Sequence, residues 1–227
     1  MILFIIILFF YERFFIALTF LIMSYSSDFE DFSTVKIDEA APDFDLPAYD
    51  PKKDDQVQVS LESLKGKWSV LFYYPADFTF VCPTELKDMA DMKGEFDALG
   101  VTVLAASTDT HFSHRAWVKA EKLMENFPYV MLADHTGEVA SMYNLLDYET
   151  GLAGRGTFVI DPEGIVRVIE VTSGPLGRNS EELLRKIKAL QFMAENPGTA
   201  CPAKWVAGDK ALKPSMKMTG EVYEALH

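Results

Sequence analysis

The stretch Trp68–Leu86 reads WSVLFYYPADFTFVCPTEL and joins a strand signal to a helix signal. Its first seven residues form an almost unbroken apolar and aromatic run, which is typical of a strand buried on both faces. Pro83 suits the first turn of a helix, and Leu86 and Met89 follow at helical spacing. The sequence therefore places Cys82 at a strand-to-helix junction.

Cys82 has two interpretations. A lone cysteine is more often a small, inert core residue than a reactive one. At this junction, however, unpaired backbone N–H groups and the positive end of a helix dipole converge, and both favour the thiolate. Pro75 and Thr79 precede the cysteine in a Pro-x-x-x-Thr-x-x-Cys pattern. This pattern resembles the peroxidatic motif of the peroxiredoxins, which favours the nucleophilic interpretation.

The resemblance extends from about residue 44 to residue 205. It includes STDTHFSHRAW at residues 107–117, RGTFVIDP at residues 155–162 and CPAKW at residues 201–205. The set is most similar to the typical two-cysteine branch, in particular the bacterial alkyl hydroperoxide reductase C subunits. It implies an α/β thioredoxin-like fold, with a mixed central β-sheet flanked by helices.

Composition narrows the class of protein. The chain has 227 residues, 49% of them apolar, which is enough for one well-packed domain with modest extensions. A net charge of −13 argues against a nucleic-acid partner and against binding to an anionic membrane surface. Two widely separated cysteines, Cys82 and Cys201, argue against a disulfide-stapled scaffold or a zinc ribbon and fit redox catalysis.

We predict three regions: a hydrophobic N-terminal extension at residues 1–22, a thioredoxin-like domain at residues 23–195, and a C-terminal arm at residues 196–227. The extension is almost wholly apolar but carries Glu12 and Arg13 near its middle. It is interpreted as a membrane anchor, as a secretory signal, or as sequence upstream of a true start at Met23. The third interpretation is favoured because the resemblance begins after it, and it predicts a cytoplasmic protein, with membrane anchoring as the alternative.

The pattern along the chain alternates strands with helices, which indicates a mixed sheet covered on both faces. One helix is expected from Cys82 to Gly100, one from Asp109 to Leu123, a short one at residues 139–143, and one that begins at Asn179 or Ser180. Asp-Pro-Glu-Gly at residues 161–164 predicts an antiparallel hairpin. The predicted strands cover residues 44–48, 56–61, 68–74, 101–107, 130–133, 157–160 and 165–171.

The resemblance assigns the chemistry residue by residue. Cys82 is the nucleophile that attacks the peroxide, Thr79 offers its hydroxyl beside the sulfur, and Pro75 shields the site from water. Arg155, just before a Gly-Thr-Phe strand, is the guanidinium that favours the thiolate and binds the peroxide oxygens. Cys201, in a segment expected to be mobile, is the resolving cysteine that captures the sulfenic acid of a partner subunit.

Function, partners and cofactors follow from the same resemblance. It implies a thiol-dependent peroxidase for hydrogen peroxide, alkyl hydroperoxides and peroxynitrite, with no metal or bound cofactor. It also implies an obligate homodimer joined by Cys82–Cys201 disulfides, assembled further into a decamer, and re-reduced by thioredoxin or a flavin-containing disulfide reductase. A chaperone-like holdase is the alternative of a different class. A thioredoxin-type oxidoreductase is disfavoured because Glu85 stands where a Cys-x-x-Cys pair needs its second cysteine.

Several other residues were given roles. Glu85, Trp117 and Arg178 match positions near the family's site and are interpreted as supports. His111 and His114 are assigned to the surface or to helix packing rather than to a metal. The remaining expectations are that Phe78 and Phe80 are core or subunit-contact residues and that residues 52–55 form a solvated turn.

One departure from the family bears on regulation. Peroxide-sensitive members carry a Gly-Gly-Leu-Gly insertion and a C-terminal Tyr-Phe, whereas this sequence has KAEKLMENFP at residues 119–128 and ends EVYEALH. Since those elements slow unfolding around the peroxidatic cysteine, the disulfide is expected to form faster than Cys82 is over-oxidised.

Overall fold

The computed structural model describes residues 34–226, and one mixed seven-stranded sheet forms their centre. The strands are β1 (Asp45–Asp50), β2 (Asp55–Ser60), β3 (Trp68–Tyr73), β4 (Val101–Ser107), β5 (Val130–Ala133), β6 (Arg155–Ile160) and β7 (Val166–Thr172). Their order in the sheet is β2-β1-β5-β4-β3-β6-β7, in which β4 runs parallel to both β3 and β5 and the other neighbours are antiparallel. The predicted mixed sheet is therefore confirmed.

The central strand β3 is buried on both faces, as its apolar run predicts. Successive side chains of a strand point to opposite faces. Accordingly, Val70 and Phe72 pack into one core cluster and Leu71 and Tyr73 into the other. Burial of each such side chain contributes about 1.5–3 kcal/mol. This strand therefore ties the two layers of the core together and gives the residues that follow it a rigid base.

Helices cover both faces of the sheet. Thr110 caps the helix that begins at His111 by accepting from the N–H of Ser113, and Asn179 caps the helix that begins at Ser180 by accepting from the N–H groups of Glu181 and Glu182. Within the described residues the helices are α1 (Cys82–Asp91), α2 (Lys93–Ala98), α3 (His111–Ala120), α4 (Glu138–Met142), α5 (Ser180–Glu195) and α6 (Val222–Leu226).

Two helix predictions were wrong in extent. The helix expected from Cys82 to Gly100 is two helices, because Met92 leaves helical geometry with a ψ of 5°. Met89 and Phe96, one on each side of this turn, both belong to the same core cluster. The helix expected to reach Leu123 ends at Ala120 and continues as a 3-10 turn at Lys122–Met124, where Met124 is buried.

The predicted hairpin is confirmed. β6 and β7 pair antiparallel, and the N–H of Gly164 donates to the carbonyl of Asp161 over 3.0 Å. Gly164 has a φ of +86°, which a residue with a side chain adopts only under strain. The turn places Arg155 at the start of β6, in the strand beside β3.

The N-terminal extension at residues 1–22 lies outside the described residues, so all three interpretations of it stay predictions. Between residues 34 and 226, the structure has no helix that is both long and apolar enough to cross a membrane. The division at residues 195 and 196 coincides with the end of α5.

Gly156, next to Arg155 in β6, generates a prediction about stability. A Cβ there would lie 2.6 Å from a methyl group of Leu145 and 2.9 Å from the ring of Phe158, and both side chains are buried. We expect Gly156→Ala to lower the free energy of unfolding by about 1–3 kcal/mol, measured by chemical denaturation. The control is Gly94→Ala in α2, where a Cβ meets no atom within 4 Å. A wild-type stability for Gly156→Ala would contradict the packing described.

Candidate active site

Cys82 is the first residue of α1 and is 0% exposed. The chain enters the helix from β3 through residues 74–81. Val81 stands at the cap position with an apolar side chain, and its carbonyl accepts from the N–H groups of Thr84 and Glu85. The sulfur therefore sits at the positive end of the helix dipole, in the core cluster formed with Tyr74 and Leu86.

Arg155 reaches this sulfur from β6. Its Nη1 donates to Cys82 Sγ over 3.2 Å and to Glu85 Oε2 over 2.6 Å, and its Nε donates to the carbonyl of Gly174 over 2.6 Å. The side chain is 5% exposed. A guanidinium keeps its charge at any working pH, so Arg155 places a permanent positive charge beside the sulfur, and its role toward the thiolate stays a prediction. The structure thus brings together two residues that lie 73 positions apart in the sequence.

Glu85 is shared between two arginines. Its Oε1 accepts from Arg178 Nε over 2.8 Å and from the Arg178 backbone N–H over 3.0 Å, while Oε2 accepts from Arg155. Arg178 also stacks over the ring of Phe72, with Cζ 3.5 Å from the ring centre. Burial lowers the pKa of Arg178 from its ordinary value, and the contact with Glu85 opposes this shift.

These four side chains have a charge balance that depends on Cys82. Arg155 and Arg178 carry two positive charges and Glu85 carries one negative charge. With a thiol the buried group has one uncompensated positive charge, whereas with a thiolate it is neutral. An uncompensated buried charge is costly, so this balance agrees with the thiolate expected for Cys82, which stays a prediction.

Pro75 and Thr79 lie in the loop between β3 and α1, and both are half-buried. The Thr79 hydroxyl donates to the carbonyl of Ala76 over 2.7 Å, a bond within the loop. The loop is also fixed by Asp77, whose backbone N–H donates to Asp109 Oδ2 over 2.8 Å. The roles proposed for Pro75 and Thr79 toward peroxide stay predictions.

The aromatic residues of this region differ in how far they are buried. Trp117, predicted as a support, is buried and packs against Tyr74 and Phe78, with ring centres 5.6 and 6.3 Å apart. Of the two positions expected for Phe78 and Phe80, the core is wrong, because they are 57% and 91% exposed, and a subunit contact stays a prediction. The positive φ of Phe78, 56°, helps to turn its side chain away from the core.

Cys201 does not belong to the Cys82 cluster. Its Sγ lies 3.8 Å from the carbonyl of Ala189 in α5, and both cysteines of the described structure are free thiols. The segment was expected to be mobile, yet it is held to α5: Trp205 is buried with its ring centre 4.9 Å from that of Phe192, and Arg185 donates to the Trp205 carbonyl. Burial raises the pKa of the Cys201 thiol, and Arg185 partly offsets this.

One feature of the site was not recognised from the sequence as functional. It is the network of Asp77, Asp109, Tyr74 and His114 that anchors the loop. The Pro-Ala-Asp-Phe-Thr context of Asp77 was a signal, since an aspartate so close to a reactive cysteine needs a partner. For metals, residues 34–226 contain no group of three histidine, cysteine or carboxylate side chains placed to hold an ion.

Comparison with protein families agrees with this geometry. Residues 37–169 match the model of the AhpC/TSA family, and residues 189–225 match the C-terminal domain of 1-Cys peroxiredoxin. The first match contains Cys82 and Arg155, and the second contains Cys201.

Individual relatives point the same way. Alkyl hydroperoxide reductase C of Staphylococcus aureus is 46% identical over 179 residues, which cover 79% of this chain and 95% of the relative. The reduced 2-Cys peroxiredoxin of Plasmodium vivax superimposes with a TM-score of 0.78 at 31% identity, covering 82% of this chain and 98% of that one. AhpC of Enterococcus faecalis has a TM-score of 0.70 at 40% identity, covering 74% and 100%. The predicted thioredoxin-like peroxiredoxin fold is therefore confirmed.

The contact between Arg155 and Cys82 predicts the ionisation of the thiol. In a Cys201→Ser background, Arg155→Met removes both the N–H donor and the positive charge. We expect roughly tenfold less thiolate at neutral pH, measured as the ultraviolet absorbance that Cys82→Ser abolishes. Arg155→Lys keeps the charge and should retain more thiolate than Arg155→Met. Equal thiolate absorbance in the folded methionine variant would show that Arg155 does not hold the ionised sulfur.

Proposed function

This chain belongs to the AhpC/TSA family, and from that membership we infer that it is a thiol-dependent peroxidase that acts through Cys82. Its substrates are hydrogen peroxide and alkyl hydroperoxides, and we propose peroxynitrite as a further substrate. The observation that carries this assignment is the 3.2 Å bond from Arg155 Nη1 to Cys82 Sγ at the start of a helix. It puts the nucleophilic sulfur of the proposal and a fixed cation together in one buried site.

In the first step, the Cys82 thiolate attacks one oxygen of the peroxide, and the O–O bond breaks. The sulfur becomes a sulfenic acid, and the other oxygen leaves as an alkoxide or hydroxide that takes up a proton to give alcohol or water. Arg155 stabilises the charge that develops on the departing oxygen. We assign to Thr79 a hydrogen bond to the bound peroxide, and to Pro75 the exclusion of water from the sulfur.

In the second step, the Cys201 thiol of a partner subunit attacks the Cys82 sulfenic acid, which forms a disulfide and releases water. The different surroundings of the two sulfurs within one chain support an intersubunit partner. Cys82 Sγ accepts from Arg155 Nη1, whereas Cys201 Sγ of the same chain lies against the carbonyl of Ala189 in α5. The first turn of α1 has to unwind for the two sulfurs to meet.

The cycle closes when an external dithiol reduces the Cys82–Cys201 disulfide by thiol–disulfide exchange. We propose thioredoxin or a flavin-containing disulfide reductase as this donor. The working assembly is a homodimer with two such disulfides, and we propose that five dimers form a ring. A cytoplasmic location fits cysteines used for redox chemistry rather than for structural disulfides. Membrane anchoring through residues 1–22 is the alternative, which N-terminal sequencing of the native protein tests.

The two-cysteine cycle predicts a covalent dimer. After one equivalent of hydrogen peroxide, the wild-type protein should migrate as a disulfide-linked dimer on a non-reducing gel. Cys82→Ser should stay monomeric and unmodified, because it lacks the nucleophile. Cys201→Ser should stay monomeric and gain the mass of one oxygen at Cys82. Intact mass spectrometry distinguishes these products.

One outcome of the same experiment would contradict the peroxidase proposal. If wild-type protein forms no dimer and Cys82 remains a thiol, the peroxidase proposal fails. The holdase alternative then becomes the better one, and Cys82→Ser should still suppress the aggregation of an unfolded client.

The raised pKa of Cys201 predicts how disulfide closure depends on pH. The thiolate is the attacking form, and a raised pKa makes it scarcer at neutral pH. Closure of the disulfide should therefore accelerate as the pH rises toward the pKa of Cys201. Trp205→Ala removes the packing against Phe192 and should speed closure at neutral pH by roughly three- to tenfold.

Rapid-quench alkylation followed by mass spectrometry measures the rate of closure after the sulfenic acid has formed. The matched control is Met216→Ala, at a 90% exposed position of the same arm, which should close at the wild-type rate. A rate of disulfide closure that does not change with pH would show that the raised pKa of the buried Cys201 thiol does not limit closure.

A further inference from the structure

Asp77 and His114 form a buried contact that the peroxidase chemistry described above does not use. His114 Nδ1 lies 3.1 Å from Asp77 Oδ1 and 3.0 Å from Asp77 Oδ2, and His114 Nε2 lies 3.0 Å from the carbonyl oxygen of Leu132. The two side chains are 0% and 1% exposed. The contact joins α3 to the loop between β3 and α1.

The partners of the imidazole determine where its protons are. A carbonyl oxygen only accepts hydrogen bonds, so the bond to Leu132 requires a proton on His114 Nε2. An ionised carboxylate also only accepts, so the contact with Asp77 requires a second proton on Nδ1. A singly protonated imidazole would turn the lone pair of Nδ1 toward the carboxylate. Both ring nitrogens are therefore protonated unless Asp77 itself carries the proton.

The other partner of Asp77 favours the ionised carboxylate. The Tyr74 hydroxyl has one proton and lies 2.7 Å from Asp77 Oδ1 and 3.3 Å from His114 Nδ1, and the shorter contact makes Asp77 its acceptor. Burial raises the pKa of Tyr74 well above its ordinary value, and Asp77 raises it further, so Tyr74 stays a phenol and a donor. Hydrogen bonds donated to a carboxylate stabilise its charged form. Asp109, the other carboxylate of this network, accepts from the Ser107 hydroxyl and from the Asp77 backbone rather than from the imidazole.

The pair holds the loop at its middle. Asp77 lies two residues after Pro75 and two residues before Thr79, so its position sets where both of them stand. Its side chain is held by His114 and Tyr74, and its backbone N–H by Asp109. Arg155 and Glu85, in contrast, hold the sulfur from β6 and α1.

We propose that His114 is a positioning residue: as an imidazolium bonded to Asp77, it fixes the loop that presents Pro75 and Thr79 to the peroxide at Cys82. The proposal rests on the peroxidase function and deepens it. It separates two tasks, since His114 governs the reaction with peroxide but not the ionisation of the sulfur.

The protonation is tested directly by magic-angle-spinning NMR of the full chain labelled with ¹⁵N-histidine, at neutral pH. The signals lost in His114→Gln belong to His114, and both of its ring nitrogens should be protonated in the wild type. In Asp77→Asn the amide donates to Nδ1, so that nitrogen should lose its proton. An unprotonated Nδ1 in the wild type would show that His114 is not an imidazolium and would overturn the proposal. This measurement decides the question even if the protein reduces no peroxide.

The positioning role is tested by stopped-flow measurement of Cys82 oxidation by hydrogen peroxide in a Cys201→Ser background. We expect His114→Gln to lower the second-order rate constant by roughly tenfold to a hundredfold, because the loop loses its anchor. The ultraviolet thiolate absorbance of Cys82 should stay at the wild-type level. His111→Gln, one turn earlier in α3, is the matched control and should oxidise at the wild-type rate.

Two further variants separate positioning from general damage to the fold. Asp77→Asn keeps a hydrogen bond to the imidazole, whereas Asp77→Ala removes it, so the asparagine variant should oxidise at least about threefold faster. This comparison replaces His114→Gln if that variant does not fold. Equal rates for the two Asp77 variants, or a wild-type rate for folded His114→Gln, would overturn the proposal. A wild-type protein that leaves peroxide unreduced would instead overturn the proposed function.

Discussion

The carboxylate of Glu85, buried between two guanidinium groups, is the interaction on which the site depends. A single buried charge is strongly destabilising, so Glu85 requires Arg155 and Arg178, and each arginine requires Glu85. The three residues come from α1, from β6 and from the segment before α5, and their pairing sets the position of the helix start against the sheet. One excess positive charge then remains on these three residues, and the Cys82 sulfur lies 3.2 Å from Arg155 Nη1. Under the proposed chemistry, the ionised sulfur therefore depends on how the helix is attached.

This attachment also limits how the helix opens. A disulfide with Cys201 requires Cys82 to leave Arg155, yet Glu85 stands only three residues further along α1 and is bonded to both arginines. Unwinding that passed Glu85 would expose three charges at once, whereas unwinding that stops before it breaks the contact of Arg155 with the sulfur and the few backbone bonds to Val81. The apolar side chain of Val81 gives the first turn no side-chain cap to lose. Local unwinding at a low cost in free energy is thus limited to the residues before Glu85, which include Cys82.

The sequence predicted the fold well where one physical signal dominates. The apolar run of β3, the Asp-Pro-Glu-Gly turn and the Asn179 cap each act locally, and each is found where it was expected. The break at Met92 was missed although Gly94, a residue that weakens a helix interior, lies two positions after it. At the site, the motif indicated Cys82, Pro75 and Thr79, and only the resemblance indicated Arg155. The pairing of Asp77 with His114 joins residues 37 positions apart, and no local pattern encodes it.

The site is supported by permanent charges beside the sulfur and by the Asp77–His114 ion pair in the loop, and these two kinds of support differ for a chemical reason. The sulfur has to be charged before peroxide arrives, and permanent charges such as those of Arg155 and Arg178 provide this at any working pH. The loop has to be rigid but need not change the ionisation of Cys82. An internally neutral ion pair between Asp77 and His114 satisfies that requirement, because its two charges cancel at the distance of the sulfur. A histidine, with donors on opposite sides of one flat ring, links the loop to β5 without extending toward the thiolate.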